Sequence, residues 1–489
     1  MPTRCRLTTC PTEVTFDLQK LRFFPFFIAL ILPAALNAQT CSTSSTVRFQ
    51  TTLGGIDVVL TPSVTPLTVA NFMTYVCSGA YTSGYFDVDR TKPYTGGTII
   101  HRSLNASNQT PPFYLIQGGC FALGAGNLPA LIPQNAPVTN EFKTSNTRGT
   151  LAMAQYGSDI NSATNEWYFN TIDNNSGLSN LDSQSFTVFG NVANDASLAV
   201  MDAINALPTY SYNAGQSANF ANLPLQNYAS GLIKPSNYIF VNSIAPISPA
   251  NSSAGVVSAA TGVPNSSTGG IAPGEILALY GQDLGPTQFT TATLSSAGLV
   301  NTSLEGTQVL FNGVAGPMWY TSTGQIAVIV PYEIDGQSTV SVVVSYLGLQ
   351  TSPITFKVVP ANPGVFTQNY GKGDAIVVRI SDKSVISTSN PALPGDTLIL
   401  YGEGYGVTSP LLADGAFYTG GAAPVPVAKT VLLIDGQAVN TSYAGAAGGD
   451  VNGVLQINFV VPQLKPGPHT IQVQVGNAVS PTGVNLQTK

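Results

Sequence analysis

The sequence predicts a mainly-β chain, with a closed antiparallel barrel in the first half and two β-sandwich repeats in the second. Three observations carry this. Short runs rich in β-branched and aromatic residues alternate with Gly, Pro and Asn turns from residue 46 onward. In the first half only two segments, after Thr65 and from Asp195, place apolar residues at helical spacing. The second half repeats itself: PGEILALYGQDLG (273–285) returns as PGDTLILYGEGYG (394–406), QIAVIVP (325–331) as QINFVVP (456–462), and VLFNGV (309–314) as VLLIDGQ (431–437). Units of about 110 residues with alternating strands and Gly/Pro turns are the pattern of a β-sandwich array.

Residues 1–38 read as an export signal. Lys20 and Arg22 supply a basic start, FFPFFIALILPAAL an apolar core too short to span a bilayer, and Ala38 a small residue for cleavage. The twenty residues before that core lie outside the pattern, which leaves the true start codon open. Cys41 follows no convincing lipobox, so neither a lipid nor a transmembrane anchor is expected. The mature chain is expected outside the cytoplasm, in the periplasm or secreted. It keeps three cysteines, Cys41, Cys77 and Cys120, which allow one disulfide and a free thiol without fixing the pair.

TVRFQTTLGGIDVVL (46–60) reads as a hairpin around Leu53-Gly54-Gly55. Thr65 is the expected N-cap of the first helix, Pro66 its first residue, Val69, Phe72 and Val76 its apolar stripe, and Gly79 its end. A polar, Gly-rich loop covers 80–97. The stretch TIIHRSLNASNQTPPFYLIQGG (98–119) then places Arg102 at the end of one strand and Gln117 at the end of the next. Residues 149–154, 167–170 and 186–192 are short strands. Asp195 opens the second helix, with Leu198, Met201 and Ile204 on one side, and 237–244 is a closing strand. Residues 246–270, rich in Ser, Ala, Gly, Asn and Pro, read as a linker. The repeats follow at 271–370 and 371–489.

Charged residues make up only 9% of the chain, well under the roughly 25% usual for soluble proteins. With a net charge of −6 and no basic cluster, a nucleic-acid partner is not expected. Two histidines, His101 and His469, nearly exclude a His-rich metal centre, and the cysteine spacing fits no zinc site. Asp173-Asn174-Asn175-Ser176-Gly177 and the pair Asp87/Asp89 lack the ligand set of a calcium loop and read as Asn/Asp/Gly turns. No cofactor is called for.

The ordered set LTVANF, IIHR, IQGG, NEF, RGTLAMA, NSAT, LD and FTVFG, spread over residues 45–245, resembles the cyclophilin-type peptidyl-prolyl isomerases. The resemblance implies an eight-stranded barrel with two helices over residues 39–245. It makes Arg102 the catalytic cation and Gln117 its brace and carbonyl partner. Tyr114, Leu115, Tyr168, Leu181 and Phe186 would line a proline pocket, with Ala154 and Gln155 along the substrate backbone. His101 reads as a hydrogen-bonded core residue. The chain departs from the family at Glu166 (usually Gln), Tyr114 and Tyr168 (usually Phe), Gln155 (usually Asn) and Asn180 (often aromatic). Glu166, among the substrate-side residues, is expected either to pair with Arg102 and cancel part of its field or to face solvent. The second half resembles Ig-like, TIG-type modules of secreted soil-bacterial proteins, which bring no activity; a surface polymer or protein ligand, or a plain spacer, stays open.

The chemistry suits these residues. Turning an X–Pro bond needs no covalent step, only stabilisation of a twisted amide whose nitrogen carries a lone pair. A guanidinium aimed at that nitrogen binds the twisted state better than the planar one. Two readings follow: an exported isomerase acting on proline-containing peptides and unfolded proteins, or a non-catalytic peptide- or surface-binding protein built on a diverged barrel.

Overall fold

In a computed structural model the described residues are 41, 43–82, 97–105, 113–124, 128–177, 179–213 and 219–489. The expected export segment, most of the 80–97 loop with Asp87 and Asp89, and residues 106–112 lie outside them. The described residues divide into two compact units, the first running to Ser248 and including Pro286–Gln288, the second made of Pro249–Gly285 and Phe289–Lys489.

The first unit is built on one antiparallel sheet. The first hairpin is β1 (Thr46–Thr51) and β2 (Gly54–Leu60). After the first helix, Pro66–Cys77, come β3 (Thr98–Ile99), β4 (Arg102–Leu104), β5 (Leu115–Gly118), β6 (Phe121–Leu123) and β7 (Pro129–Leu131). Then follow β8 (Thr150–Met153), β9 (Trp167–Asn170), strand Val188–Val192, the second helix Asp195–Asn205 and strand Phe240–Pro246. The strand order is β4, β5, β9, β8, 188–192, β2, β1, 240–246, β3. Its two ends, β4 and β3, are halves of one segment broken at Ile100 and His101. The segment 98–104 pairs with strand 240–246 through β3 and with β5 through β4, so it closes the sheet into an eight-stranded barrel. Hairpin β6–β7 hangs from β3.

Strand alternation sorts the side chains. Ile116, Phe169 and Leu151 point inward and pack with Phe49, Phe72, Trp167, Val200 and Met201 in the barrel core. Their neighbours Leu115, Tyr168 and Ala152 point outward and meet Leu104, Leu181 and Val188 in a separate apolar cluster. The site lies on this outer row.

The first helix begins where the sequence places it, but its cap is different. The Thr65 hydroxyl turns back to Thr61, while the Glu141 carboxylate accepts from the Leu67 and Thr68 amides and the Thr68 hydroxyl. A distant anion thus meets the positive end of the helix, which local spacing cannot reveal. Asn194 caps the second helix by accepting from the Ser197 amide. Cys41 and Cys77 form a disulfide, and Cys120 is a buried free thiol. A hairpin absent from the sequence reading, Thr209–Asn213 with Asn219–Pro224, carries its own small core around Phe220 and Leu223.

The second unit shows the internal repeat in its register. Strand Ile276–Gln282 pairs with Gln325–Ile329 so that Tyr280 faces Gln325; strand Thr397–Glu403 pairs with Leu455–Val460 so that Tyr401 faces Gln456. In each repeat two sheets share one core: Leu277, Ile326, Phe311 and Val342 in the first, Leu400, Ile457, Ile434 and Val473 in the second. The expected linker needs correction. Residues 250–258 form a strand paired with 276–282, and Asn265–Thr268 a helical turn. Val256 and Val257 are apolar enough to be drawn into the sheet. Among the described residues no helix is long and apolar enough to cross a membrane.

Three carboxylates are buried among the described residues of this unit: Glu275, Glu403 and Asp450. Glu403 accepts from Ser258 Oγ and the Ile276 amide; Glu275 accepts from Asn265, Asn362 and the Ala272 amide. Burial pushes Glu403 up to about 7, and burial plus the Glu403 charge pushes Glu275 well above the ordinary carboxylate range. Both groups hold a proton more tightly folded than unfolded. Their stabilisation is therefore complete below the unfolded carboxylate pKa, near 4.3, and is lost as pH rises through about 7. The melting temperature of the second unit should be several degrees higher at pH 5.5 than at pH 8. Burial also pushes Asp450 up to about 7, and burial together with Glu333 does the same to Asp414, so Glu403→Gln should weaken that dependence in calorimetry without abolishing it; an unchanged slope would mean that Glu403 does not contribute to it.

Candidate functional site

The register across three strands brings the site together. Arg102 on β4 faces Gln117 on β5, which faces Tyr168 on β9. All three lie on the outward row. The Arg102 guanidinium donates to Gln117 Oε1 at 3.2 Å, and Gln117 Nε2 donates to Glu166 Oε1 at 2.7 Å. His101 Nε2 reaches the same carboxylate oxygen at 2.8 Å. Glu166 thus neither pairs directly with Arg102 nor faces free solvent: Gln117 stands between it and the guanidinium. The carboxylate can only accept, so it fixes which end of the Gln117 amide points to Arg102.

The electrostatics follow from these contacts. Burial works to raise the Glu166 carboxyl. Hydrogen bonds from His101, Cys120 and Gln117 and the His101 charge outweigh it and hold the carboxyl below its ordinary value. Desolvation lowers the Arg102 guanidinium somewhat, against the opposing pull of Glu166, and an arginine stays charged at any physiological pH. Arg102 lies at the surface with its charge presented outward.

Beside the cation lies the apolar cluster of Leu104, Leu115, Tyr168, Leu181 and Val188, with Phe113, Ala154 and Phe186 at its half-buried edge. Tyr168 is fully engaged: its hydroxyl donates to Asn146 Oδ1 at 2.7 Å, and its ring meets Phe186 edge-on at 5.8 Å. Asn146 also donates to Asp182 Oδ1 and the Phe186 carbonyl, so it ties the pocket's strands to its loop. Among the expected pocket residues Leu115, Leu181 and Tyr168 are buried here and Phe186 flanks them. Tyr114 is half-buried just before the strand and is not part of this cluster, its backbone tied to Asn174 and Thr171. Phe113, in phase with Leu115, packs where Tyr114 was expected. Ala154 donates its amide to the Glu166 carbonyl, and Gln155 holds the Ser185 carbonyl at 2.9 Å. Asn180 accepts from the Ser183 amide in a turn, and Asp173 accepts from the Arg148 amide, as turn residues do. Gly118 and Gly119 are required where they stand: a Cβ on Gly118 would lie 2.8 Å from the Trp167 indole, and one on Gly119 2.6 Å from its Nε1.

Sequence reasoning missed Asn146 and Phe113. Asn146 is a lone amide in a loop with no spacing signal. Phe113 was legible from period-two alternation with Leu115 and Gln117.

The sequence model described as cyclophilin type peptidyl-prolyl cis-trans isomerase/CLD matches residues 46–223. A peptidyl-prolyl cis-trans isomerase of Acinetobacter baylyi is 30% identical over 192 residues, covering 39% of this chain and 87% of the relative. Peptidyl-prolyl cis-trans isomerase A of Dickeya dadantii is 30% identical over 207 residues, covering 42% of this chain and 93% of the relative. The crystal structure of a Cryptosporidium parvum cyclophilin type isomerase, determined in the presence of the dipeptide Ala-Pro, aligns with 41% of this chain and 98% of its own. Its identity is 18% and its TM-score 0.27. Barrel, motifs and relatives define an enzyme of the isomerase class. The chain belongs to the cyclophilin-type peptidyl-prolyl cis-trans isomerase family through its first unit.

The position of Glu166 yields a test. Its charge lies one residue beyond the guanidinium and opposes it. Glu166→Gln keeps an acceptor for Gln117 and removes the charge, so kcat/KM on a small X–Pro peptide should rise roughly two- to fivefold, about 0.5–1 kcal/mol. Because the carboxyl titrates below its ordinary value, the gain should be equal at pH 6 and pH 8. An unchanged rate in a folded variant would remove the Glu166 charge from the account.

Proposed function

We propose that this chain is an exported isomerase of X–Pro bonds in extracytoplasmic proteins, and that its second unit, two Ig-like β modules, binds or positions it. The observation that carries the catalytic part is the Arg102–Gln117–Glu166 chain set beside an apolar cluster. A proline ring seated against Leu115, Phe113 and Phe186 would hold the pivot. Gln117 would hold the substrate carbonyl as well as the guanidinium. Arg102 would face the prolyl nitrogen as its lone pair develops, an interaction absent from the planar ground state. No group need be transferred. Export is supported by the disulfide Cys41–Cys77, which suits an oxidising compartment.

One observation favours the second reading, a binding protein without useful turnover. The Glu166 carboxylate stands close to the catalytic cation and weakens its field.

A protease-coupled isomerisation assay on the full chain separates the two. The wild type should accelerate isomerisation of a small X–Pro peptide, and Arg102→Ala should lower kcat/KM by about 10²- to 10³-fold. Arg102→Lys should recover only a part, since an ammonium lacks the planar fork. A wild-type rate equal to the uncatalysed one would establish the binding reading; a wild-type rate retained in Arg102→Ala would refute the assigned mechanism.

A further inference from the structure

His101, Cys120 and Glu166 come from three places in the sequence but share one end of three adjacent strands. His101 precedes β4, Cys120 follows β5 and Glu166 precedes β9; the pairings Arg102–Gln117 and Gly118–Trp167 put those ends side by side. A ring nitrogen, the sulfur and a carboxylate oxygen all lie within 4.8 Å of one another. Imidazole, thiolate and carboxylate are the three ligand types that zinc takes. Around a tetrahedral zinc, with bonds of roughly 2.0–2.3 Å, neighbouring ligand atoms sit about 3.3–3.8 Å apart. The cluster closes to that size if one arm moves by about 1 Å. Glu166 can move: its side chain is 30% exposed, whereas His101 is buried.

Two further facts bear on the cluster. Nδ1 of His101 is buried with no hydrogen-bond partner among the described residues, so no neighbour fixes which ring nitrogen carries the proton. Cys120 has no disulfide partner there, because Cys41 and Cys77 are joined.

We propose that His101, Cys120 and Glu166 form a three-ligand site for a thiophilic divalent cation of the zinc class, with a fourth position open to water, and that filling it slows the isomerase. On binding, the Cys120 thiol proton leaves to solvent, the proton that His101 Nε2 directs at Glu166 leaves likewise or passes to Nδ1, the thiolate sulfur and the freed imidazole nitrogen each donate a pair to the metal, and nothing is oxidised. The Glu166 carboxylate turns to the metal. Gln117 Nε2 then loses the acceptor that now holds it at 2.7 Å, and its Oε1 no longer braces Arg102. The effect on rate rests on the catalytic roles proposed above for Arg102 and Gln117; the binding does not.

The test uses the full chain, stripped of metal and without a polyhistidine tag. Titration with Co²⁺ should give one equivalent of a thiolate-to-cobalt charge-transfer band in the near ultraviolet, displaced by Zn²⁺. Cys120→Ser should lose the band and bind at least about tenfold more weakly. Cys5 and Cys10 are present in both proteins and cancel in the comparison. Glu166→Gln, a second variant, should keep the fold and also bind more weakly. In the isomerisation assay Zn²⁺ should slow the wild type severalfold, while the rate of Cys120→Ser, compared with its own metal-free value, should not respond to Zn²⁺. Absence of the band in the wild type, or an equal band in Cys120→Ser, overturns the site. A band lost in Cys120→Ser with no effect of Zn²⁺ on an active wild type overturns the regulation. A wild type that binds cobalt but never catalyses refutes the isomerase reading and leaves the site standing.

Discussion

The Glu166 carboxylate is the constraint on which the candidate site depends. It has no proton to give, so Gln117 must turn its amide nitrogen toward it and its oxygen toward Arg102. With the neutral amide more usual at this position, either orientation of Gln117 would be satisfied. The substitution that looked like a defect in the sequence therefore also acts as an orienting device. It fixes the guanidinium's partner while opposing the guanidinium's field, and these two effects work against each other in catalysis.

The barrel makes that arrangement possible through parity. A β-strand sends alternate side chains to opposite faces, so Ile116 and Phe169 build the interior while Gln117 and Tyr168 build the outer row. Closure through the bent segment 98–104 places Arg102 on the same row as Gln117. Trp167, buried against Gly118 and Gly119, lets the strands approach closely enough at this end for His101, Cys120 and Glu166 to meet.

Much of this was legible in the sequence. The ordered motifs carried the barrel, Arg102 and Gln117, and the repeated PGEILALYG and PGDTLILYG segments carried a register that recurs in both repeats. The missing parts depended on contacts between distant residues. Glu141 caps a helix from more than seventy positions away. Asn146 ties Tyr168 to a loop without any local pattern. Residues 250–258, whose composition reads as a linker, gain their hydrogen bonds from a strand some twenty-five residues on. The Glu166 geometry needed both His101 and Gln117 in place, and a single-residue comparison offers only the two simpler alternatives of pairing with Arg102 or facing water.

The most direct measurement of the central claim is a double-mutant cycle on kcat/KM for Gln117→Ala and Glu166→Ala, with folding verified in each variant. If Glu166 acts by orienting Gln117, its removal should change the rate far less once Gln117 is gone, giving a coupling energy of about 1 kcal/mol or more. Strictly additive effects would contradict the account, because each residue would then act on the substrate or on Arg102 independently.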